Sequence, residues 1–508
     1  MKKLKFSALA AFLLSSVMLS ATPLQAAPGD AANGLEIYNK RCTWCHGVEG
    51  DGQGAAVEYL NPPPRDFTSG LYKIKTTHFD DAVPNDDDIY RMIKDGMPGT
   101  AMPGWSDILN EKEMWDLVAQ IKVFSEYQEE KPENQVEFGS QVATSPDSIA
   151  KGKPLYIDRC AECHGDDGKG DGIKKLKGDA EERTWPRNLT KPWTFRGSNG
   201  PKDIYTRIST GIPGTQMPSF ADPISKKKLS VEERWHVANY AASLAKTVNV
   251  PMAENTVIKA GNLEGDLPMD PNDARWDALT PSSFFTLPQI IGKERFFTPS
   301  TDSVTVKAVF NDKELAILLE WDDRTKSIPG DAVAASIADD TIYQDAIAVQ
   351  LPLTIPEGME KPYFAMGDKS KPVNVWWWKS GTTTEPETVA LVNAMGAKNI
   401  EPRESAGLTV KSVYSKGSWK VVMKRALTTA ESDKDLQFET GRFIPIAFSA
   451  WDGSNSETGS KHTMTTWYWL LLKPPASSKP LVTGVLVGLF LFGGLSWWAK
   501  SAGRKENT

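Results

Sequence analysis

Arg41-Cys42-Thr43-Trp44-Cys45-His46-Gly47 decides how the first half of this chain is read, and it recurs as Arg159-Cys160-Ala161-Glu162-Cys163-His164-Gly165. Cys-x-x-Cys-His is the attachment signature of c-type haem. The two thiols add across the vinyl groups and tether the ring, and the adjoining imidazole lies beneath the iron as proximal ligand. A zinc or dithiol redox Cys-x-x-Cys has no need of that histidine. With five histidines in 508 residues, chance places one there about once in a hundred motifs, and far less often in both. The two motifs consume all four cysteines, which leaves none for a disulfide or a four-cysteine zinc site. Cys42, Cys45, Cys160 and Cys163 are therefore expected to hold two covalent c haems, with His46 and His164 on the irons.

Around the motifs a longer unit is used twice. Gly34, Tyr38, Arg41 and Cys42 align with Gly152, Tyr156, Arg159 and Cys160. Pro64-Arg65-Asp66-Phe67-Thr68 aligns with Pro186-Arg187-Asn188-Leu189-Thr190, and Asp88-Ile89-Tyr90 with Asp203-Ile204-Tyr205. Gly96 to Pro103 aligns with Gly211 to Pro218, and Glu113-Met114-Trp115 with Glu233-Arg234-Trp235, each of the last pair opening a helix-spaced apolar run. A repeat of this length is one domain duplicated. Each copy, residues 28–140 and 141–250, resembles a class I cytochrome c, an all-α domain in which a first helix runs into the haem motif and a last helix closes the fold. The repeat also selects a sixth ligand. The first copy offers Met97 and Met102, the second has Ile212 and Met217 in those places. Only Met102 and Met217 are shared, and each precedes a proline that fixes the chain. A thioether is a soft ligand that raises the haem potential, so Met102 and Met217 are the expected distal ligands and Met97 is expected to pack. Arg65 and Arg187 are candidates for haem propionate contacts, with solvated surface arginines as the alternative.

Residues 251–474 read as a β-sandwich. Val304, Val306, Ala308 and Phe310 alternate, Asn311-Asp312-Lys313 turns the chain, and Leu315, Ile317, Leu319 and Trp321 alternate again, the signature of a hairpin. Further short runs follow with turns between them. Asp345 to Pro352, Phe364-Ala365-Met366-Gly367-Asp368, Pro372 to Lys379, Ala450-Trp451-Asp452-Gly453, Gly459-Ser460-Lys461 and Trp467 resemble the haem b-binding gamma subunit of ethylbenzene dehydrogenase and its relatives. That resemblance covers roughly 200 residues. It implies a non-covalent haem b ligated by Met366 and Lys461, an electron-transfer role, and partners of the molybdenum type: a catalytic subunit with an iron–sulfur subunit. A ligating lysine must be the neutral amine, and the adjacent His462 is its rival. The same fold lies close to carbohydrate-binding modules, and Trp376-Trp377-Trp378 could stack on sugars.

The net charge of −7 gives no reason to expect a nucleic acid partner. Lys2, Lys3 and Lys5 followed by an apolar run and Leu24-Gln25-Ala26-Ala27 read as a signal peptide over residues 1–27. Pro480 to Ala499 carries no charge and is long enough for a bilayer core of about 30 Å. Residues 475–508 are thus expected to be one transmembrane helix with a cytoplasmic tail, which places a single-pass protein in the bacterial cytoplasmic membrane with its bulk in the periplasm. The leading reading is a multihaem cytochrome without catalytic residues that passes electrons between a molybdenum oxidoreductase and soluble or membrane carriers. The alternatives are a dihaem enzyme of the peroxidase or thiosulfate-oxidising type, and a dihaem cytochrome bearing a carbohydrate-binding module.

Overall fold

A computed structural model of the chain describes residues 29–505 apart from 61, 82, 98–99, 126–131, 133, 173, 179–182, 246–256, 297–298, 397, 404–406 and 475–478. The expected signal peptide, residues 1–27, lies outside the described residues.

Each half of the repeat is a small helical domain. In the first, α1 (Ala31–Arg41), α2 (Thr43–His46), α3 (Asp86–Asp95) and α4 (Glu111–Phe124) follow one another. In the second, α5 (Pro146–Arg159), α6 (Ala161–His164), α7 (Pro201–Thr210) and α8 (Val231–Ser243) do the same. Local chemistry sets the helix starts. The Asp30 carboxylate accepts from the Ala32 and Asn33 amides, and the Ser145 hydroxyl accepts from the Ser148 amide ahead of a proline in the first turn. Asn110 with Glu113 and Ser230 with Glu233 form capping boxes on the two closing helices.

The first and last helices of each copy cross at a glycine. A Cβ on Gly34 would stand 2.0 Å from the Asp116 carbonyl oxygen, and one on Gly152 2.0 Å from that of His236. No other residue lets the backbones approach so closely. Behind each crossing an aromatic pair repeats: Tyr90 stacks on Trp115 at 4.6 Å, and Tyr205 on Trp235 at 4.3 Å.

The strands fold over into a sandwich. Ser303–Phe310 and Glu314–Asp322 pair antiparallel, and the Asn311 side chain closes their turn by accepting from the Lys313 and Glu314 amides. Side-chain period 2 divides the second half of the sandwich cleanly. From Ala346–Pro352, Ile347, Val349 and Leu351 enter the main core, while Ala346 and Ala348 face the other way. From Val373–Lys379, Trp376 and Trp378 enter the core, and Val373, Val375 and Trp377 face with the alanines.

The second cytochrome copy is docked on the sandwich. The Arg324 guanidinium donates to the Gly172 and Lys174 carbonyls. Asn188 donates to Asp322 at 2.8 Å, Lys191 pairs with the same carboxylate at 2.9 Å, and Lys416 pairs with Asp167 at 2.6 Å. The two cytochrome copies meet through Arg91 and Asp203 at 3.3 Å and through Arg207, which donates to the Lys75 carbonyl at 2.9 Å.

The C-terminal expectation is corrected. Lys479–Lys505 is one helix, but among the described residues no helix is long and apolar enough to cross a membrane. Gly484, Gly488, Gly493 and Gly494 fall within this helix and add no side-chain apolar surface. The single-pass anchor, and with it the placement in the cytoplasmic membrane with a periplasmic bulk, is therefore not supported.

Candidate haem sites

The two Cys-x-x-Cys-His motifs have the same local geometry. α1 ends at Arg41 and α5 at Arg159, and a single turn carries the second cysteine and the histidine of each motif. Tyr38 donates its hydroxyl to the Gly47 carbonyl at 2.8 Å, and Tyr156 to Gly165 at 2.9 Å. Gly47 and Gly165 take φ of 79° and 75°, the left-handed region open to glycine. Nδ1 of His46 lies 3.0 Å from the Arg65 carbonyl oxygen, and Nδ1 of His164 lies 3.0 Å from that of Arg187. A proton on Nδ1 donates to that carbonyl and leaves Nε2 as the lone-pair nitrogen, the tautomer a metal-bound imidazole needs. Burial pushes both imidazoles below their ordinary pKa, which favours the neutral ring. Burial also pushes the Cys42 and Cys160 thiols up to about 12.

The methionine loops repeat as closely. The Met97 amide donates to the Met102 carbonyl at 3.1 Å, and Ile212 donates to Met217 at 3.1 Å. Thr100 caps the first loop, its hydroxyl donating to the Met97 carbonyl at 2.8 Å and accepting from the Met102 amide at 3.2 Å. Thr215 does the same for Ile212 and Met217 at 2.8 and 3.2 Å. Met102 and Met217 thus stand at one equivalent point of one closed loop, and Met97 at the place of an isoleucine. Both loops start from a glycine in the left-handed region that abuts the chain after the methionine.

Arg65 and Arg187, the propionate candidates, also act through their backbones. It is their backbone carbonyls that hold the imidazoles, and the Arg187 guanidinium is ion-paired with Asp302 of the sandwich. Around the second site the donors without partners are others: Trp185 Nε1, Arg196 Nε and Arg324 Nη1 are buried and make no hydrogen bond. Arg183 and Arg324 lie over the Trp185 ring at 4.5 and 5.0 Å. Burial lowers Arg196 and Arg324 to about 10. Orphaned buried donors cost about 1–3 kcal/mol each, and carboxylate acceptors would relieve them. The only sequence signal for this rim was Trp185-Pro186-Arg187 standing where Pro63-Pro64-Arg65 stands in the first copy.

In the sandwich, the outward face of the second sheet is apolar and built of small residues. Ala346, Ala348, Ala394 and Ala447 make its floor, and Trp377, Trp451, Trp467 and Met366 rise around them. Trp377 and Trp451 are stacked at 5.3 Å, and His462 packs against Trp451 at 4.6 Å. Met366 belongs to this face and holds φ 65°, a strained conformation for a side chain of its size. The indole nitrogens of Trp377 and Trp467 are buried without a partner. A flat apolar ring with acidic edge groups matches both the floor and the orphaned donors. Lys461 is placed less favourably: its ammonium pairs with Glu294 at 3.1 Å and its side chain is 41 % exposed. Of the tryptophan run, Trp376 and Trp378 are core, so only Trp377 is available to a ligand.

Residues 149–245 match the cytochrome c family, and residues 29–121 the family described as cytochrome c oxidase, cbb3-type, subunit III. Residues 273–407 match the ethylbenzene dehydrogenase family. This is a tandem cytochrome joined to an ethylbenzene dehydrogenase-type domain. Met366 lies within the matched part of that domain and Lys461 beyond it. The chain is similar to a protein of Haloferax mediterranei assigned as a respiratory nitrate reductase heme subunit, with 24 % identity over 233 residues, 46 % of this chain and 79 % of the relative. It is similar to the chlorate reductase subunit gamma of Ideonella dechloratans, with 29 % identity over 233 residues, 45 % of this chain and 90 % of the relative. A chain of the reducing HAO-like protein complex of Kuenenia stuttgartiensis is 38 % identical, over 43 % of this chain and 99 % of that one, at a TM-score of 0.40.

Proposed function

We propose that this chain is the haem-bearing electron-transfer subunit of a molybdenum oxidoreductase complex, holding two c haems and one b haem. The relatives are a heme subunit and a gamma subunit of reductases, and the chain is an electron-transfer subunit rather than a catalytic one. The observation that carries the reading is the doubled geometry of the cytochrome copies: the same imidazole on the same carbonyl, and the same threonine-closed methionine loop.

In this reading each bound haem supplies a one-electron iron centre. Cys42, Cys45, Cys160 and Cys163 tether two of them. His46 and His164 would hold the haems through Nε2, with Nδ1–H on the Arg65 and Arg187 carbonyls keeping each ring in place. Met102 and Met217 would supply a thioether to each haem, a soft ligand that would raise its potential. Trp185, Arg196 and Arg324 would take the propionates of the second c haem, and Arg65 those of the first. The alanine floor of the sandwich would take the b haem, Met366 and Lys461 would be its ligands, and the Trp377 and Trp467 indoles would donate to its propionates. For Lys461 to serve, it must leave Glu294. The partners are a molybdenum catalytic subunit, an iron–sulfur subunit and a further electron carrier.

Pyridine haemochrome analysis of the purified chain tests this directly. The expected ratio is two c to one b. Cys42→Ala and Cys160→Ala should each remove one covalent haem. Lys461→Gln should lose the b haem while His462→Ala keeps it, and the reverse outcome would move the ligand to His462. Two covalent haems retained after either cysteine change would refute the c sites, and absence of haem b from the wild type would refute the third.

A further inference from the structure

Three carboxylates from three distant parts of the sandwich converge where it meets the second cytochrome. Asp323, Asp345 and Asp452 are each 3 % exposed or less. They offer oxygens that all lie within 4.8 Å of one another, and Glu457, fully buried, stands against Asp452. We propose that Asp323, Asp345 and Asp452 bind one calcium ion that locks the seam between the sandwich and the second cytochrome domain.

The hydrogen bonding of the cluster is complete except on one side. Asp345 accepts from the Ser327 and Gly453 amides and from Trp419 Nε1. Asp452 accepts from the Ser454 amide and hydroxyl and from the Ser300 hydroxyl. Asp323 Oδ1 accepts from the Thr325 amide at 3.2 Å, but Oδ2 is buried and has no partner at all. A buried, unpaired carboxylate oxygen is among the costliest groups to leave alone. Arg183 and Arg324 act on Asp452 through space, yet they make their hydrogen bonds to Ile337, Asp339, Gly172 and Lys174. Burial and the facing carboxylates hold Asp323 and Glu457 well above the carboxylate range and Asp345 at about 7. A divalent cation would remove that penalty.

The donor set selects the ion. All donors are carboxylate oxygens, which suits a hard cation and not zinc, whose structural sites draw on thiolate and imidazole. Calcium takes oxygen ligands at about 2.3–2.6 Å in flexible geometry, whereas magnesium demands near-ideal octahedral geometry and keeps several waters, which a buried all-carboxylate cluster does not favour.

The same segments dock the cytochrome. Arg324 follows Asp323 and reaches the Gly172 carbonyl. The Asp323 amide donates to the Gly417 carbonyl at 2.9 Å, and Lys416 pairs with Asp167. Ser300 binds Asp452, and Asp302 pairs with Arg187, whose carbonyl holds His164. A cation at the cluster therefore fixes all three docking segments at once.

The test uses the full holo-protein, and its readouts do not depend on how many haems are bound. Metal analysis after desalting should find one calcium per chain, removable by EGTA. Calorimetric titration of the EGTA-treated protein with calcium chloride should show one site, and calcium but not equimolar magnesium should restore the melting temperature. Asp323→Asn keeps the shape and removes one charge, so calcium affinity should fall about tenfold or more. If that variant does not fold, the wild-type titration decides alone. An EGTA-treated wild type that binds no calcium, and melts identically with and without it, would overturn the proposal and leave a cluster neutralised by protons.

Discussion

Gly152→Ala puts the duplicated helix crossing under the sharpest strain. The added Cβ would stand 2.0 Å from the His236 carbonyl oxygen, 2.6 Å from its carbon and 2.9 Å from Tyr240 Cβ. Ordinary contacts between such atoms are about 3.4 Å or more, so α5 and α8 would have to part by about 1 Å or more. Two of those neighbours are backbone atoms of a helix, which cannot rotate away. The cost should be at the upper end for overpacking, about 3 kcal/mol. For a domain of about 100 residues that lowers the melting temperature by about 10 °C or more. The haem motif follows directly on α5, and Tyr156, which holds Gly165, is one turn beyond the crossing, so the motif should loosen with it. The assay is a thermal melt of the purified holo-protein followed at the haem absorbance, which reports the cytochrome domains. Gly261→Ala is the control. Its Cβ would meet only Leu279 Cδ2 at 3.4 Å, and its effect should stay within about 1 kcal/mol. A Gly152→Ala protein that melts within about 2 °C of the parent would refute the steric argument.

Met102→Ala and Met217→Ala should each lower the potential of one c haem and open it to carbon monoxide, because the soft ligand is lost; Met97→Ala should do neither, and redox titration with carbon monoxide difference spectra reads both. Arg324→Ala removes the donor to the Gly172 and Lys174 carbonyls and the cation over Trp185, so the second cytochrome should dock less firmly, seen as a lower melting temperature at the haem absorbance. Trp377→Phe keeps the ring and deletes an orphaned donor. Without haem it should be neutral or stabilising by about 1 kcal/mol, while haem b retention should fall. Weaker stability together with unchanged haem b retention would show that this indole has no propionate to serve.

Local patterns in the sequence were enough for the features that depend on short-range spacing. Cys-x-x-Cys-His places two thiols and an imidazole on one helical turn whatever surrounds them, so both motifs were legible. The repeat was legible because equal spacing imposes equal geometry. Gly34 and Gly152 aligned before any reason for a glycine was visible, and the crossing supplies the reason. Strand alternation likewise carried the hairpin from Ser303 to Asp322, since period 2 is a property of the backbone.

Everything that needed two distant segments to meet was decided by the tertiary structure. Arg65 and Arg187 were read through their guanidiniums, and the fold also uses their carbonyls, which carry no side-chain signature. Trp376-Trp377-Trp378 looked like one aromatic surface until the pleat sent two rings inward and one outward. Pro480 to Ala499 had the composition of a span, a property that adds along the chain, yet no described helix is long and apolar enough to cross a membrane. Asp323, Asp345 and Asp452 are separated by up to 129 positions and lie in turns that look like any solvated acidic loop. Only the folding of the sandwich removes them from water, and burial turns three ordinary aspartates into a site.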